Sequence, residues 1–83
     1  MQVTVRYFAA LREALGAQES VQVAPDSTVG ALRDQLIAAS PRHADALRRG
    51  RALRCALNQV LAEESAALED GAEVAFFPPV TGG

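Results

Sequence analysis

Two strand-like segments, one near each end of the chain, enclose one long helical pattern and restrict the folds open to this sequence. Residues 2–8 divide into two alternating sets of side chains, and residues 73–77 form a second run rich in apolar and aromatic residues. A period of two is typical of a half-buried strand, because successive side chains point to opposite faces of a sheet. Residues 29–39 instead place apolar side chains at helical spacing. Strands at both ends around one helix predict an α+β domain.

Shorter patterns predict the remaining elements. The turn at residues 25–28 offers helix N-caps, and Asn58-Gln59 is predicted to form a tight turn between two short strands. The complete prediction comprises strands at residues 2–8, 19–24, 53–57, 60–62 and 73–77, and helices at residues 9–15, 29–39 and 41–47. In this order the segments predict a mixed sheet of about five strands, covered on one face by one main helix.

The composition limits the chain to one domain, predicted to span residues 1–83. Apolar residues make up 49% of the chain and charged residues 22%, which is typical of a globular protein. The apolar stretches are too short to cross a bilayer, and the N-terminus lacks a signal-peptide pattern. A single cysteine fits a reducing compartment, and a net charge of −2 offers no basic field for nucleic acid. We therefore expect a cytoplasmic protein without nucleic-acid or membrane partners.

The side chains do not form a self-contained catalytic set. His43 is predicted to lie on the surface of a short polar helix, and Cys55 alternates with leucines as a small core residue. The acidic pairs at residues 63–64 and 69–70 are interpreted as solvated charge. The sequence shows no metal-ligand spacing, phosphate-binding glycine loop or nucleophile motif. Any chemistry is therefore expected to depend on other proteins.

The chain ends in the unusual segment FFPPVTGG. Pro78 and Pro79 restrict φ to about −65° and favour an extended backbone, so residues 78–83 are predicted to project from the domain as a tail. Gly82 and Gly83 have no Cβ, which allows the backbone to enter a narrow channel. The reactive group that such a channel would receive is the α-carboxylate of Gly83.

The order of the elements is similar to the β-grasp, or ubiquitin-like, fold, and the ending resembles that of one family within it. FFPPVTGG, preceded by Asp70-Gly71 and by Glu73-Val74-Ala75, resembles the C-terminus of the small subunit of molybdopterin synthase. The segments at residues 8–13 and 58–61 resemble that family as well. The resemblance covers the whole chain, with most of its weight on the last dozen residues. It implies that the domain is a sulfur carrier.

The resemblance also implies a defined chemistry for the C-terminus. In this family a ubiquitin-activating-like adenylyltransferase consumes ATP to adenylate the terminal glycine, here Gly83, which Gly82 precedes. A sulfur donor protein then supplies the sulfur that displaces AMP and leaves a thiocarboxylate. Within the large, catalytic subunit of the synthase, that group donates sulfur to cyclic pyranopterin monophosphate during molybdenum cofactor biosynthesis. The family further implies a heterotetramer with two large subunits, and a small subunit with no metal and no permanently bound cofactor.

A partner-binding face is predicted from the direction of the side chains. Phe8 and Phe77 both point away from the side of the sheet that the helix is expected to cover, and two aromatic residues on an open face favour an interface. The resemblance adds Leu61, and Arg12 offers a charge-assisted contact at the rim. The tail contributes the remaining residues of the predicted contact, Pro78, Pro79, Val80 and Thr81.

Other functions remain open at this point. A sulfur carrier for another pathway, such as thiazole biosynthesis, would share the chemistry, although Phe-Phe-Pro-Pro before Gly-Gly argues against it. A ubiquitin-like modifier would be joined through Gly83 to lysines of target proteins, and a binding module would make no chemical use of Gly83. All eight basic residues of this chain are arginines. That pattern fits either a codon or growth-temperature bias, or a need to keep amines away from an activated carboxyl group.

Overall fold

Residues 1–79 are the part of the chain that the computed structural model describes, and they form five strands and three helices. The strands are β1 (Gln2–Tyr7), β2 (Gln18–Gln22), β3 (Arg54–Leu57), β4 (Val60–Ala62) and β5 (Glu73–Phe77). The helices are α1 (Ala10–Leu15), α2 (Val29–Ala39) and α3 (Pro41–Ala46). Each predicted element is present in the predicted order, and the ends differ by only one or two residues.

The five strands form one mixed sheet in the order β2-β1-β5-β3-β4. β1 pairs parallel with β5, whereas β1 with β2, β3 with β5 and β3 with β4 are antiparallel. Parallel neighbours need a crossover connection, and the segment that contains α2 and α3 contributes to it on one face of the sheet. The predicted mixed sheet of five strands is therefore confirmed. The last strand occupies the centre of the sheet, so the chain leaves the middle of the domain after Phe77.

The core lies between the sheet and the helices. α2 provides most of the cover through Val29, Leu32 and Leu36, which are fully buried. α1 and α3 widen this layer through Leu11 and Leu47, so the cover is broader than the one main helix predicted from the sequence. The sheet contributes the inward side chains Val3, Val5, Tyr7, Val74 and Phe76. Burial of each large apolar side chain contributes about 1.5–3 kcal/mol, which makes this layer the main source of stability.

Local signals set the helix starts and the β3–β4 hairpin. Thr28 Oγ1 accepts a hydrogen bond of 3.1 Å from an amide in the first turn of α2, and Ser40 Oγ does the same for α3. Asn58 and Gln59 have φ values of 50° and 69°. Positive φ at both central residues is what a two-residue type I′ turn requires. The predicted tight turn is therefore confirmed, and it holds β4 beside β3.

A buried arginine links α2 to two connecting segments. Arg33 is only 3% exposed, and its guanidinium donates to Glu64 Oε2 at 2.8 Å. Its other hydrogen bonds, of 2.8, 2.7 and 3.1 Å, go to the carbonyl oxygens of Leu47, Arg48 and Arg51. A guanidinium is always charged and carries several donors in a rigid fork, so these acceptors are what makes its burial possible.

Glu64, predicted to be a solvated charge, is instead an ion-pair partner. Its carboxylate accepts hydrogen bonds from both Arg33 and Arg49. Partial burial by itself raises the pKa of Glu64, but the two arginine hydrogen bonds outweigh it and hold the pKa below its usual range. Asp70, in the other acidic pair, accepts a hydrogen bond of 2.8 Å from the Gln2 amide. The prediction was wrong for Glu64 because its partners are distant in sequence, whereas Asp70 is exposed as predicted.

His43, predicted to lie on the surface, belongs to a cluster between α3, β1 and β2. Its Nε2 lies 2.7 Å from Glu19 Oε2, and its Nδ1 lies 2.6 Å from Ser40 Oγ. The same oxygen of Glu19 accepts a hydrogen bond of 2.7 Å from the Tyr7 hydroxyl. The rings of Tyr7 and His43 meet edge-on, with centroids 6.5 Å apart. His43 is therefore a largely buried residue that ties α3 to the sheet.

We expect Tyr7 to resist ionisation while the domain is folded. Burial first, and then the hydrogen bond and charge of Glu19, raise the pKa of Tyr7 above the usual value of about 10. Below a pH of about 10, Tyr7 is protonated in both the folded and the unfolded chain, and its contribution to stability is fully present. At higher pH the unfolded chain ionises Tyr7 while the folded domain resists ionisation, so the folded state loses stability as the pH rises. Because Tyr7 is the only tyrosine of the chain, tyrosinate absorbance during a pH titration reports this group alone.

The same titration in denaturant provides the reference, with an expected midpoint at pH of about 10. Tyr7→Phe is expected to remove the tyrosine-dependent part of the alkaline loss of stability. A folded wild-type protein whose tyrosinate appears at the same pH as in denaturant would contradict this assignment.

Candidate partner-binding face

The face of the sheet that the helices leave open carries the predicted aromatic pair. The β1–β5 register pairs Arg6 with Ala75, and Phe8 and Phe77 each follow two residues later. Side chains two residues apart on a strand share a face, and the Phe8 amide still donates to the Phe76 carbonyl oxygen at 3.3 Å. Phe8 is 39% exposed and Phe77 is half-buried. The structure thus places both rings on the open side.

Two arginines lie on the same face beside these rings. Arg6 Cζ is 5.4 Å from the centroid of the Phe8 ring, which is close enough for a cation–π contact. In the β3–β5 register, Arg54 lies directly opposite Phe77. Neither arginine is a predicted site residue, although the alternation of the first strand already groups Arg6 with Phe8. The position of Arg54 depends on strand pairing, which local sequence does not reveal.

The edge strand β4 carries two exposed apolar side chains, of which Leu61 lies on the open face and Val60 on the opposite face. Leu61 is 61% exposed and Val60 is 68% exposed. The register places Leu61 opposite Ala56, which in turn lies opposite Ala75, so Leu61 projects from the open face in line with β5. Val60 was not predicted as an exposed residue. Its exposure follows from its position beside the hairpin turn at the edge of the sheet.

Arg12 is exposed in α1, close to Phe8 in the chain. The connection between strand and helix is tight, because the Leu11 amide donates to the Phe8 carbonyl oxygen at 3.2 Å. Ala9 turns the chain with a φ of 55°, which is uncommon for a residue that has a Cβ. The helix therefore starts immediately after the strand and keeps Arg12 within about one turn of Phe8.

The base of the tail is held by the central strand. β5 pairs with β1 on one side and with β3 on the other, and Pro78 and Pro79 follow it directly. Pro78 is half-buried and Pro79 is exposed. Pro79 also borders an open cleft of about 320 Å³ that is lined by residues 52–55 and 62–64. The other predicted tail residues, Val80, Thr81, Gly82 and Gly83, lie outside the described residues.

Cys55 is a buried core residue, as the alternation of its strand predicted. Its Sγ lies 3.2 Å from the carbonyl oxygen of Ala62. Burial first, and then the charge of Glu64, raise the pKa of the thiol, which disfavours the nucleophilic thiolate.

Between residues 1 and 79, no group of three or more His, Cys, Asp or Glu residues is placed to hold a metal ion. None of the helices in this described part is long and apolar enough to cross a membrane.

The sequence of this chain is similar to those of known proteins. The model of the ThiS family matches residues 5–83. The molybdopterin synthase sulfur carrier subunit of Escherichia coli (strain K12) is 47% identical over 81 residues, which cover 98% of this chain and 99% of that protein.

Two solved structures share the fold. The small archaeal modifier protein 1 of Haloferax volcanii matches with a TM-score of 0.77 at 29% identity, over 95% of this chain and 98% of that one. A complex of subunits 1 and 2 of the molybdopterin-converting factor from Helicobacter pylori 26695 contains a chain that matches with a TM-score of 0.69 at 26% identity, over the full length of both. The predicted β-grasp, ubiquitin-like fold is therefore confirmed. This chain belongs to the ThiS family and, within it, to the molybdopterin synthase sulfur carrier subunits.

Proposed function

We propose that this chain carries sulfur on Gly83 and delivers it to the precursor of molybdopterin. The observation that carries the proposal is the position of the FFPPVTGG ending in the chain: its two phenylalanines end the central strand of a family member's sheet, and PPVTGG follows that strand directly. Because β5 is paired on both sides, the base of the tail has a defined position relative to the open face. An extended segment of six residues reaches at most about 20 Å, which is enough to enter a pocket of a protein docked on that face.

The proposed chemistry begins with activation, because a carboxylate is a poor electrophile. An oxygen of the Gly83 carboxylate attacks the α-phosphorus of ATP on an adenylyltransferase, and pyrophosphate leaves. A persulfide on a sulfur donor protein then attacks the acyl carbon, AMP leaves, and reductive cleavage of the S–S bond by a thiol leaves the thiocarboxylate. In the large subunit the thiocarboxylate sulfur attacks a carbon of cyclic pyranopterin monophosphate and displaces its oxygen substituent, and water then hydrolyses the resulting thioester, which leaves the sulfur on the precursor and restores the Gly83 carboxylate. Two such transfers complete the dithiolene. ATP is thus consumed on another protein and is not a resident cofactor of this chain.

The described residues support a carrier rather than an independent catalyst. The histidine His43 is engaged with Glu19 and Ser40, and the thiol of Cys55 is buried with its thiolate form disfavoured. Neither group is placed beside the tail as a nucleophile with a free base. The acid–base and nucleotide chemistry is therefore assigned to partners.

The open face is the proposed docking surface for those partners. The Helicobacter pylori structure is a complex of two subunits, and this chain matches one of its chains over the full length. We assign Phe8, Leu61 and Phe77 to the contact with the large subunit, and Arg12 to its rim. The adenylyltransferase is expected to use the same face at an earlier step, since both proteins must receive the same tail. Two small and two large subunits would form the assembled synthase.

Phe77→Ala is expected to weaken binding to the large subunit by about 30-fold or more, because loss of an aromatic anchor at an interface often costs about 2 kcal/mol or more. The domain is expected to remain folded, since the ring lies on the open face and outside the helix-covered core. Isothermal titration calorimetry measures the affinity, and circular dichroism measures the melting temperature.

Arg42→Ala, exposed on α3 on the covered side of the sheet, serves as the control and is expected to bind normally. Unchanged affinity of Phe77→Ala, or an unfolded Phe77→Ala domain, would remove this residue from the docking face.

The intact mass of the protein from its native host tests the proposed function most directly. A species heavier by the difference between one sulfur and one oxygen indicates a carrier. Addition of this species to the large subunit with cyclic pyranopterin monophosphate is then expected to yield molybdopterin, which separates this pathway from thiazole biosynthesis.

Two other mass patterns would replace the proposal. A ladder of conjugates to other proteins would indicate a modifier, the function suggested by the name of the related Haloferax protein. An unmodified C-terminus under every growth condition, including conditions that demand molybdenum enzymes, would leave only a binding role.

A further inference from the structure

The arginines of this domain differ in whether the chain supplies them with hydrogen-bond acceptors. In α2 and the α3–β3 connection, four arginines donate to oxygens of the domain itself, namely Arg33, Arg48, Arg49 and Arg51. On the open face, Arg54 is exposed, and its guanidinium forms none of the side-chain hydrogen bonds or ion pairs found within residues 1–79. Arg6 has a single carboxylate neighbour, Glu73, at 3.8 Å, and its buried Nε has no partner among these residues.

These two guanidinium groups flank the aromatic pair. Arg6 lies over the Phe8 ring, and Arg54 lies opposite Phe77 in the adjoining strand. A protein that covers the rings therefore covers both charges as well. In the free chain water solvates them, but a docked protein displaces that water. Because a guanidinium remains charged at any relevant pH, its burial without acceptors is strongly unfavourable.

We propose that Arg6 and Arg54 are specificity-determining residues of the docking face, and that the partner places carboxylates opposite them at the rim of an apolar pocket for Phe8 and Phe77. The proposal rests on the proposed function, because it takes the large subunit of the synthase as the partner. It adds the chemistry by which that partner is selected.

Carboxylates are the acceptors that match the charge of this face. Among the strand residues that point to the open side, the acidic one is Glu73, and it already lies beside Arg6. The strands therefore contribute one more arginine than carboxylate to this face, although the whole chain has a net charge of −2. A carboxylate accepts two parallel hydrogen bonds from a guanidinium, which adds geometric selection to the attraction. Backbone carbonyl oxygens would accept hydrogen bonds but would leave the charge uncompensated.

Arg54→Glu tests the proposal against a matched control, Arg42→Glu. Arg42 is exposed on α3, on the covered side of the sheet, and both substitutions change the net charge by the same amount. We expect Arg54→Glu to weaken binding of the purified large subunit from the same host by about 30-fold or more, because repulsion replaces attraction. Arg42→Glu is expected to stay within about threefold of the wild type, since exposed charges far from an interface act weakly.

Two further measurements identify the cause of any loss. Arg54→Gln and Arg6→Gln are each expected to weaken binding by about tenfold and to reduce its dependence on salt, while their melting temperatures stay near that of the wild type. Arginine replacement of acidic residues on the large subunit is expected to yield one variant that restores binding to Arg54→Glu and not to Arg42→Glu. That rescue would identify the facing carboxylate.

Binding of Arg54→Glu within about threefold of the wild type, together with a strong loss for Phe77→Ala, would overturn this inference and leave the sulfur-carrier proposal intact. If neither substitution affected binding, the docking face itself would be wrong. Failure of the proposed carrier chemistry can be distinguished from both of these binding outcomes, because the intact-mass measurement would then show no sulfur-containing species of this chain.

Discussion

Arg33→Met is expected to destabilise the domain by about 3–5 kcal/mol, the range typical when one partner of a buried charged network is removed. The substitution removes the guanidinium donor from the carbonyl oxygens of residues 47, 48 and 51, and of these three that of Arg48 keeps a bond of 2.9 Å from the Arg51 amide. Each buried acceptor without a partner costs about 1–3 kcal/mol. The ion pair with Glu64 contributes less to this total, because that carboxylate is partly exposed and keeps its bond to Arg49.

This loss is large in relation to the stability of a small domain. At about 0.05–0.15 kcal/mol per residue, a chain of this length has a free energy of unfolding of about 4–12 kcal/mol. Urea denaturation followed by circular dichroism measures the change. Arg33→Lys is expected to recover less than half of the loss, because one ammonium group cannot reach acceptors that surround a planar fork.

Arg42→Met is the control for the loss of a positive charge, and we expect it to change stability by less than about 0.5 kcal/mol. A cost below about 1 kcal/mol for Arg33→Met would show that the network is dispensable. The connection between α3 and β3 would then be held mainly by the apolar contacts of Leu47.

Deletion of Gly83, or addition of one residue after it, is expected to abolish sulfur transfer and to leave the melting temperature nearly unchanged. The deletion moves the carboxyl group by about 3.3–3.6 Å along an extended chain. Misplacement of a reacting group by about 1 Å already lowers a rate by about 100-fold. The five strands and the helix-covered core described here lie within residues 1–79, so no loss of core packing is expected.

Intact mass after incubation with the adenylyltransferase, ATP and the sulfur donor measures formation of the thiocarboxylate. Differential scanning calorimetry of the same samples measures stability. A large fall in the melting temperature would mean that the tail is a structural element. Sulfur transfer that survives both changes of length would mean that the partner's channel does not position the terminus.

The alternation of side chains between the two faces of a strand explains why part of the docking surface could be predicted from the sequence. The alternation of the first strand assigned Tyr7 to the core and Phe8 to the open side, and both lie there. That inference needs only the period of two along a strand, which is a local property of the backbone. The positions of Leu61 and Arg12 as site residues came from the resemblance to a family, and their roles in binding remain predictions.

The sequence pattern could not predict the surroundings of residues whose hydrogen-bond partners lie far away in the chain. His43 was predicted on the surface because its neighbours in the helix are polar, but α3 packs so that the ring reaches Glu19 on β2. Glu64 was predicted as solvated for the same reason, yet two arginines bind it. In both cases the hydrogen-bond partner lies at least fifteen residues away in the chain.

The order of strands and helices, the turn at Asn58-Gln59 and the chemical nature of the C-terminal group follow from the sequence alone, because periodicity, turn propensity and covalent structure act over a few residues. The tertiary structure alone decided that β5 lies between β1 and β3, that Arg54 faces Phe77 and that Arg33 is buried among carbonyl oxygens. Strand pairing and desolvation bring together residues that are far apart in the chain, and their free energies depend on partners that no local pattern specifies.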